Sequence, residues 1–126
     1  MKNRVLIVDD EEILLDLYEQ NLEKFGYLVE RAESGNEAIE KLSNMDFNLV
    51  LSDIKMPNGD GKDVLNHVRN KLNLEIPVIM LTKYTNGTSK KFMGLGADTI
   101  LFKPISMDDL MNTIMIYLPS AKDKSA

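Results

Sequence analysis

The feature of this sequence that most constrains its fold is a set of five short apolar runs separated by segments long enough for helices. The runs are rich in β-branched residues and too short for helices, so we expect strands at 5–8, 27–29, 49–51, 78–81 and 99–102. Four of the runs lack polar alternation, which is typical of parallel strands covered on both faces. The second run continues into Glu30 and Arg31, as an edge strand would.

The segments between the runs carry apolar residues at helical spacing. One apolar stripe consists of Leu14, Leu17 or Tyr18, Leu22 and Phe25, and another of Leu110, Ile114 and Leu118. Ser34 and Glu37 have the spacing of a capping box at the start of the second helix. The segment 84–91 is the weakest predicted helix, because its Thr, Asn and Gly residues disfavour helix interiors. The alternation predicts an α/β fold with a parallel sheet and helices on both faces.

Length and composition exclude several classes of protein. The 126 residues fit one domain, and 44% hydrophobic with 28% charged residues indicates a globular chain rather than a disordered one. Because the sequence has no Cys and one His, thiolate and multi-His metal cages are excluded. A net charge of −5 disfavours direct binding of nucleic acid, and the apolar runs are too short to span a membrane. The first residues lack the apolar region of a signal peptide, so we expect a cytoplasmic protein.

Residues that carry chemistry follow four of the five predicted strands. Asp9, Asp10, Glu11 and Glu12 follow the first strand, Asp53 the third, Thr82 the fourth, and Lys103 with Pro104 the fifth. Taken singly, each has an ordinary structural explanation, such as a helix cap, a turn, a strand end or a solvated lysine. Because parallel strands end at one edge of a sheet, all of them are expected to converge where ligands bind in such folds.

The converging charges predict a metal site and a reaction. Two carboxylates ~4 Å apart repel each other by roughly 4 kcal/mol at an effective dielectric constant of about 20. Three carboxylates against the Lys103 ammonium leave a charge of about −2, which suits Mg²⁺ with oxygen ligands and retained water. Mg²⁺, a lysine and a hydroxyl are together suited to phosphoryl transfer. Asp53 is then the candidate nucleophile, and Thr82 and Lys103 are candidates to bind the phosphoryl oxygens.

Five motifs in order give the chain a family resemblance. They are Val-Asp-Asp-Glu-Glu at 8–12, Asp-Ile-Lys-Met-Pro at 53–57 followed by Asp60 and Gly61, Leu-Thr at 81–82, Gly-Ala-Asp at 96–98, and Lys103 with Pro104. Over residues 4–118 the sequence resembles the receiver domain of bacterial two-component response regulators. The resemblance implies a flavodoxin-like, doubly wound, five-stranded parallel sheet in the order 2-1-3-4-5. It also implies a receiver domain at 1–118, followed at 119–126 by a tail or the start of a linker.

The resemblance implies a role for each acidic residue at the strand ends. Asp53 accepts a phosphoryl group from a phosphohistidine of a sensor histidine kinase or a histidine phosphotransfer protein. Asp9 and Asp10 hold Mg²⁺ together with Asp53 and the backbone carbonyl of Lys55. Such a protein is a signalling phosphoacceptor that slowly dephosphorylates itself, and not an enzyme with a separate substrate. The resemblance does not identify the downstream protein or effector domain, and it leaves dimerisation open.

The same resemblance implies a set of switch residues. Thr82 moves toward the phosphoryl group, and the amide of Lys83 helps to hold that group. Lys103, joined to Pro104 by a cis peptide bond, links the site to the switch. The segment 84–95, the fifth strand and the fifth helix form the surface that is expected to respond.

Three features depart from the pattern of the family. Ile100 stands where many receivers carry Tyr or Phe, and Phe102 shares its strand parity without being an established substitute. Lys83 stands where a small residue is usual, and it either restricts access or pairs with the phosphoryl group. Lys55 and Tyr84 flank the expected path of water, so we expect them to tune hydrolysis of the acyl phosphate.

Other functions remain open at this point. A flavin-binding flavodoxin shares the fold, but four acidic residues in the first loop would repel its phosphate. A metal-dependent phosphatase with an aspartyl nucleophile needs that nucleophile after the first strand, and a cap domain for which the chain has no length. The main alternative is a degenerate receiver that binds a protein without being phosphorylated. The intact acidic residues argue against that alternative, whereas Ile100 and Lys83 allow it.

Overall fold

A five-stranded parallel sheet forms the centre of the protein. The computed structural model describes residues 3–83 and 88–119. The strands are β1 (Arg4–Val8), β2 (Leu28–Ala32), β3 (Leu49–Asp53), β4 (Val78–Thr82) and β5 (Thr99–Phe102). Their order, β2-β1-β3-β4-β5, confirms the predicted strands and the flavodoxin-like topology. This order places β1, β3, β4 and β5 next to one another, so that their carboxyl ends lie side by side.

Helices in the described part of the chain cover both faces of the sheet. They are α1 (Glu12–Lys24), α2 (Gly35–Asn44), α3 (Gly61–Asn66), α4 (Thr88–Gly94) and α5 (Met107–Tyr117), with a π-helical turn (His67–Lys71) that continues α3. Helices α1 and α5 pack on one face through residues such as Leu22 and Ile114. Helices α2, α3 and α4 pack on the other through residues such as Leu42 and Phe92, which confirms the two-sided packing. No helix among these residues is long and apolar enough to cross a membrane.

Two chemically important residues belong to strands rather than to the loops that follow them. The sequence places Asp53 and Thr82 after the third and fourth strands, but they are the last residues of β3 and β4. Asp53 pairs with Leu81 and Thr82 with Phe102 in the ladder, because backbone pairing does not require an apolar side chain. Both side chains are therefore held by regular sheet backbone.

The structure also corrects the predicted bounds of the second strand and the last helix, and it decides between Leu17 and Tyr18. Strand β2 begins at Leu28 rather than at Tyr27, whose ring is buried and whose hydroxyl donates a hydrogen bond to the carbonyl of Leu118. Of the two alternatives in the first helical stripe, Tyr18 is buried and Leu17 is 38% exposed. Leu118 lies just beyond the end of α5 rather than within it.

The predicted capping box of α2 forms only in part. The Ser34 hydroxyl accepts the N–H of Glu37 at 3.1 Å, as expected. The Glu37 carboxylate accepts the N–H of Glu33 at 2.9 Å instead of that of Ser34. The helix start is nevertheless satisfied, because each of these donors has a side-chain acceptor.

Two predicted segments extend beyond the residues that the structure describes. The weak helix expected over 84–91 includes 84–87, which lie outside them, and α4 is described from Thr88 to Gly94. Residues 120–126 of the expected tail also lie outside them. The boundary between a domain at 1–118 and a tail at 119–126 therefore stays a prediction.

The Arg69 side chain ties the end of the α3 region to the starts of β4 and β5. Carbonyl oxygens accept from its guanidinium at 3.0, 2.9 and 2.8 Å, and they belong to Gly96, Leu74 and Ile76. A further bond of 2.8 Å reaches the Asp98 carboxylate, which also accepts the N–H of Val78 at 2.8 Å. Because Val78 begins β4 and Asp98 directly precedes β5, these bonds help to fix both strands whose far ends carry Thr82 and Lys103.

We expect Arg69→Met to lower the free energy of unfolding by about 2–3 kcal/mol, because it removes the ion pair with Asp98 and the Arg69 donor of three carbonyls. Arg31→Met is the matched control, since Arg31 pairs with Asp16 and Glu19 at the surface. That control should cost no more than about 1 kcal/mol. Urea unfolding of both variants measures the difference, and equal losses would contradict a central role for Arg69.

Candidate functional site

Three carboxylates meet at the carboxyl edge of the sheet. Asp9 follows β1 and Asp53 ends β3, and these strands are direct neighbours, with Val8 opposite Ser52. Oxygen atoms of Asp9, Asp10 and Asp53 all lie within 4.8 Å of one another. Asp9 and Asp53 are buried, whereas Asp10 is exposed. The predicted convergence is therefore confirmed for Asp9, Asp10 and Asp53, whereas Glu12 is the exposed first residue of α1.

The Asp9 carboxylate is fixed at both of its oxygens. Its Oδ1 accepts the N–H of Glu11 at 2.9 Å, at the turn into α1. Its Oδ2 accepts a hydrogen bond of 2.8 Å from the ammonium of Lys103. The backbone N–H of Asp9 donates to the carbonyl of Ala32, which continues the pairing of β1 with β2 past the end of the strand. Asp9 is therefore a rigid side of the acidic cluster.

The Asp53 carboxylate lies between a backbone amide and an ammonium. Its Oδ1 accepts the N–H of Ile54 at 2.8 Å, and its Oδ2 lies 3.3 Å from the Nζ of Lys103. Burial raises the pKa of this carboxyl above its ordinary value. The charge of Lys103 opposes that rise, and the charge of Asp9 adds to it. Any further positive charge nearby therefore stabilises the ionised form of this desolvated carboxyl group.

Lys103 supplies the positive charge that holds the cluster together. Its side chain is 7% exposed and lies within 4 Å of the carboxylates of Asp9, Asp53 and Glu11. Burial alone would lower its pKa, but the hydrogen bond to Asp9 and the charges of Asp53 and Asp9 outweigh burial and raise the pKa. The backbone N–H of Lys103 donates to the carbonyl of Thr82 at 2.8 Å, and the bond to Pro104 is cis, as the family resemblance implied.

The remaining predicted residues surround this centre at different depths. Thr82 is 1% exposed and ends β4, the strand between Asp53 and Lys103. Phe102 is 41% exposed, whereas Ile100 is partly buried against the core on the α2–α4 side. Tyr84 lies outside the described residues.

A cavity of 160 Å³ opens over Asp53. It is lined by Asp10, Glu11, Asp53, Lys55 and Lys83, so the predicted modulating residues Lys55 and Lys83 do border the site. The donor set around the cavity is rich in carboxylate oxygen. Three carboxylates against one buried ammonium leave a charge of about −2, which suits a hard divalent cation with oxygen ligands. Because Asp10 is exposed, an ion at this site is open to solvent on that side and keeps bound water.

Sequence reasoning missed how closely the start of α3 packs behind Asp53. Asp60 and Asp63 form a complete capping box there. The N–H of Gly61 donates to the carbonyl of Ile54 at 2.7 Å, and a Cβ on Gly61 would lie 2.6 Å from the carbonyl oxygen of Asp53. The spacing of Asp60 and Asp63 in the sequence was the available signal.

Glu11 lies at the site, as expected for a residue that follows the first strand, but its contacts with two lysines were not predicted. Its Oε2 lies 3.8 Å from the Nζ of Lys103 and 3.9 Å from the Nζ of Lys83. Because the helix dipole alone explains an acidic residue at the start of a helix, nothing in the sequence indicated that Glu11 would pair with lysines that follow two other strands.

Comparison with known proteins agrees with the fold. The family model described as response regulator receiver domain matches residues 5–115. A CheY-like response regulator receiver domain protein from Methanospirillum hungatei is 38% identical, with a TM-score of 0.86 over 92% of this chain and 93% of that chain. The chemotaxis response regulator CheY4 of Vibrio cholerae is 30% identical, with a TM-score of 0.87 over 94% of this chain and 100% of that chain. The signal receiver domain of a putative Luxo repressor protein from Vibrio parahaemolyticus is 29% identical, with a TM-score of 0.86 over 93% and 90% of the two chains.

A family match over most of the chain and the structural similarity to solved receiver domains lead to one assignment. The protein belongs to the response regulator receiver domain family of two-component signalling.

Proposed function

We propose that Asp53 accepts a phosphoryl group from a phosphohistidine, carried by a sensor histidine kinase or a histidine phosphotransfer protein. The observation that carries this proposal is the setting of the Asp53 carboxylate. It is desolvated, lies 3.3 Å from an ammonium, belongs to a cluster of three carboxylates and borders a 160 Å³ cavity. A carboxylate in that setting is held in place while positive charge for an incoming phosphoryl group is already present.

The metal ligands in this proposal are Asp9, Asp10, Asp53 and the backbone carbonyl of Lys55, and the ion is Mg²⁺. Its oxygen donors are those that Mg²⁺ prefers. When bound, the ion supplies positive charge to the phosphoryl oxygens. The buried Asp9 and Asp53 fix two sides of the site, and the exposed Asp10 leaves room for water.

The residues of the chain then perform the transfer by position and charge. An oxygen of Asp53 forms a bond to phosphorus while the bond from phosphorus to the histidine nitrogen breaks, and that nitrogen keeps the electron pair and takes a proton. Lys103 pairs with one phosphoryl oxygen, and the Thr82 hydroxyl and Lys83 amide donate hydrogen bonds to others. The product is an acyl phosphate on Asp53 and a free histidine on the donor.

The output of the domain is a change in its protein-binding surface. The phosphoryl group adds up to two negative charges beside Lys103 and Thr82, and so favours the state in which both close on it. The switch surface in this proposal consists of the 84–95 segment, β5 and α5. Ile100 and Phe102 lie on β5, and Pro104 follows it. A downstream protein or effector domain reads this surface. The protein has this signalling role rather than the turnover of a separate substrate.

The domain boundaries and the location of the protein belong to the same proposal. Residues 1–118 form the receiver domain, and 119–126 form a tail or the start of a linker. The family match over 5–115 supports a receiver domain of about this extent. The absence of Cys from the sequence agrees with a cytoplasmic location, where disulfides are rare.

Incubation with acetyl phosphate should add one phosphoryl unit to the wild type, and only with Mg²⁺ present. Asp53→Ala should gain none, because it lacks the nucleophile. Asp46→Ala is the control, since Asp46 is exposed and lies away from the cluster. Intact-mass measurement decides the result. If the wild type gains no mass with Mg²⁺, the chain is a degenerate receiver that acts without phosphorylation.

Asp53→Asn should raise the free energy of unfolding at neutral pH in the presence of a chelator. The pKa of Asp53 is raised by burial, so the folded protein loses stability as pH rises above the unfolded pKa and the carboxyl ionises. Replacing the carboxylate by an amide removes that loss. Mg²⁺ should stabilise the wild type more than the variant, because it binds the folded carboxylates. Urea unfolding with and without Mg²⁺ tests both effects, and a variant less stable than the wild type without Mg²⁺ would contradict this electrostatic account.

Beryllofluoride, a phosphoryl mimic, should move the amide NMR signals of residues 82–105. The expected cause is a movement of Thr82 and Lys103 toward the ligand. This movement reaches β5 because the backbone N–H of Lys103 donates a hydrogen bond to the carbonyl of Thr82. Asp53→Ala should show no such shifts under the same conditions. Shifts confined to the loops that touch Asp53 would rule out propagation to the switch surface.

A further inference from the structure

We propose that Glu11 is a positioning residue that holds the Lys83 ammonium away from Asp53, and so shortens the lifetime of the acyl phosphate. This inference rests on the proposed function of Asp53 and gives a direction to the effect of Lys83. Without a phosphoryl group on Asp53, the Glu11 carboxylate is the partner of Lys83. A phosphoryl group on Asp53 competes with Glu11 for this lysine.

The contacts of Glu11 place it between two lysines at the site. Its Oε2 lies 3.9 Å from the Nζ of Lys83 and 3.8 Å from the Nζ of Lys103. Its backbone N–H is held by the buried carboxylate of Asp9 at 2.9 Å, so the start of its side chain is fixed relative to the cluster. Both Glu11 and Lys83 line the cavity over Asp53. The pair therefore forms part of the wall of the cavity that Asp53 also lines.

The two lysines differ in what holds them. Lys103 is buried and also contacts Asp9 at 2.8 Å and Asp53 at 3.3 Å, so it keeps its place without Glu11. Lys83 is 66% exposed, and among the described residues Glu11 supplies the one carboxylate within 4.0 Å of its ammonium. Loss of the Glu11 charge therefore releases Lys83 and leaves Lys103 held.

The phosphoryl group and Glu11 compete for the same ammonium. A phosphoryl group on Asp53 carries up to two negative charges at the bottom of the cavity that Lys83 borders. When Lys83 pairs with that group, its side chain covers the opening of the cavity. When Lys83 pairs with Glu11, the opening is less protected. The balance of the two pairs sets how easily water reaches the phosphorus.

Hydrolysis is the step that this balance controls. A water oxygen forms a bond to phosphorus while the bond from phosphorus to the Asp53 oxygen breaks. The Asp53 carboxylate keeps the electron pair of the broken bond, inorganic phosphate leaves, and the proton lost by water goes to the phosphate or to solvent. Because Glu11 draws Lys83 away from the phosphoryl group, it speeds this step without touching the reacting atoms.

The test is the rate of acyl phosphate decay at saturating Mg²⁺, followed by intact mass after the phosphodonor is removed. Glu11→Gln should slow decay about two- to fivefold, the range expected for an exposed ion pair. Glu12→Gln is the matched control, because it removes the same charge from the exposed neighbouring residue at the start of α1. It should decay at the wild-type rate. Repeating the series at a second saturating Mg²⁺ concentration excludes a change in metal affinity.

A double variant separates the ion pair from a general field effect. In the Lys83→Met background, Glu11→Gln should no longer change the rate, because no ammonium is left to release. An unchanged rate in Glu11→Gln alone would overturn the inference, and so would an equal slowing with and without Lys83. Failure of the wild type to take up any phosphoryl group would overturn the proposed function first. These outcomes are distinguishable, because the inference can fail in a protein that is phosphorylated normally.

Discussion

The reach of one ammonium across the sheet edge is the interaction on which the rest of the site depends. Lys103 follows β5, while Asp53 ends β3 and Asp9 follows β1. Because neighbouring strands lie about 4.8 Å apart, a side chain from β5 must cross the end of β4 to reach β3. Lys103 does so and contacts both carboxylates, at 2.8 and 3.3 Å. Without that charge, two buried carboxylates would face each other in a poorly solvated space.

The one positive charge of Lys103 neutralises only part of the negative charge of the three carboxylates. The negative charge that remains suits the site to bind a cation. Burial raises the pKa of Asp53 even with Lys103 beside it, so the ionised site still gains from a divalent cation. In the proposed function, a phosphoryl group on Asp53 meets positive charge that is already in position. The backbone N–H of Lys103 also donates a hydrogen bond to the carbonyl of Thr82, which connects the residue that holds the acidic cluster directly to the end of β4. Glu11 and Lys83 add a second, more exposed ion pair to the site. In our proposal, a phosphoryl group on Asp53 competes with Glu11 for this lysine.

Much of the fold could be predicted because its signals are local. Apolar runs and helical stripes lie within short stretches of sequence, and the predicted sheet order is confirmed. The exact strand ends could not be predicted, since Asp53 and Thr82 are polar and yet complete the ladders of β3 and β4. The choice between Leu17 and Tyr18 also needed the structure, because both lie near the edge of the buried face of α1.

The candidate site was predictable where residues follow strands and not where contacts cross the fold. Asp9, Asp10, Asp53 and Lys103 come together as the parallel arrangement requires. The ion pairs of Glu11 could not be predicted, because its lysine partners come from the ends of β4 and β5, while the helix dipole already explained its presence. Arg69 was missed for the same reason, since its acceptors come from separate parts of the chain and no short motif announces them.

The most direct test of the central claim is to locate the phosphoryl group on the protein. Treatment of the phosphorylated chain with borohydride reduces an aspartyl phosphate to homoserine, and tandem mass spectrometry of its peptides identifies the residue. The account predicts reduction at residue 53 alone, and only when Mg²⁺ was present during phosphorylation. Reduction at Asp9, at Asp10 or at a carboxylate outside the cluster would contradict it.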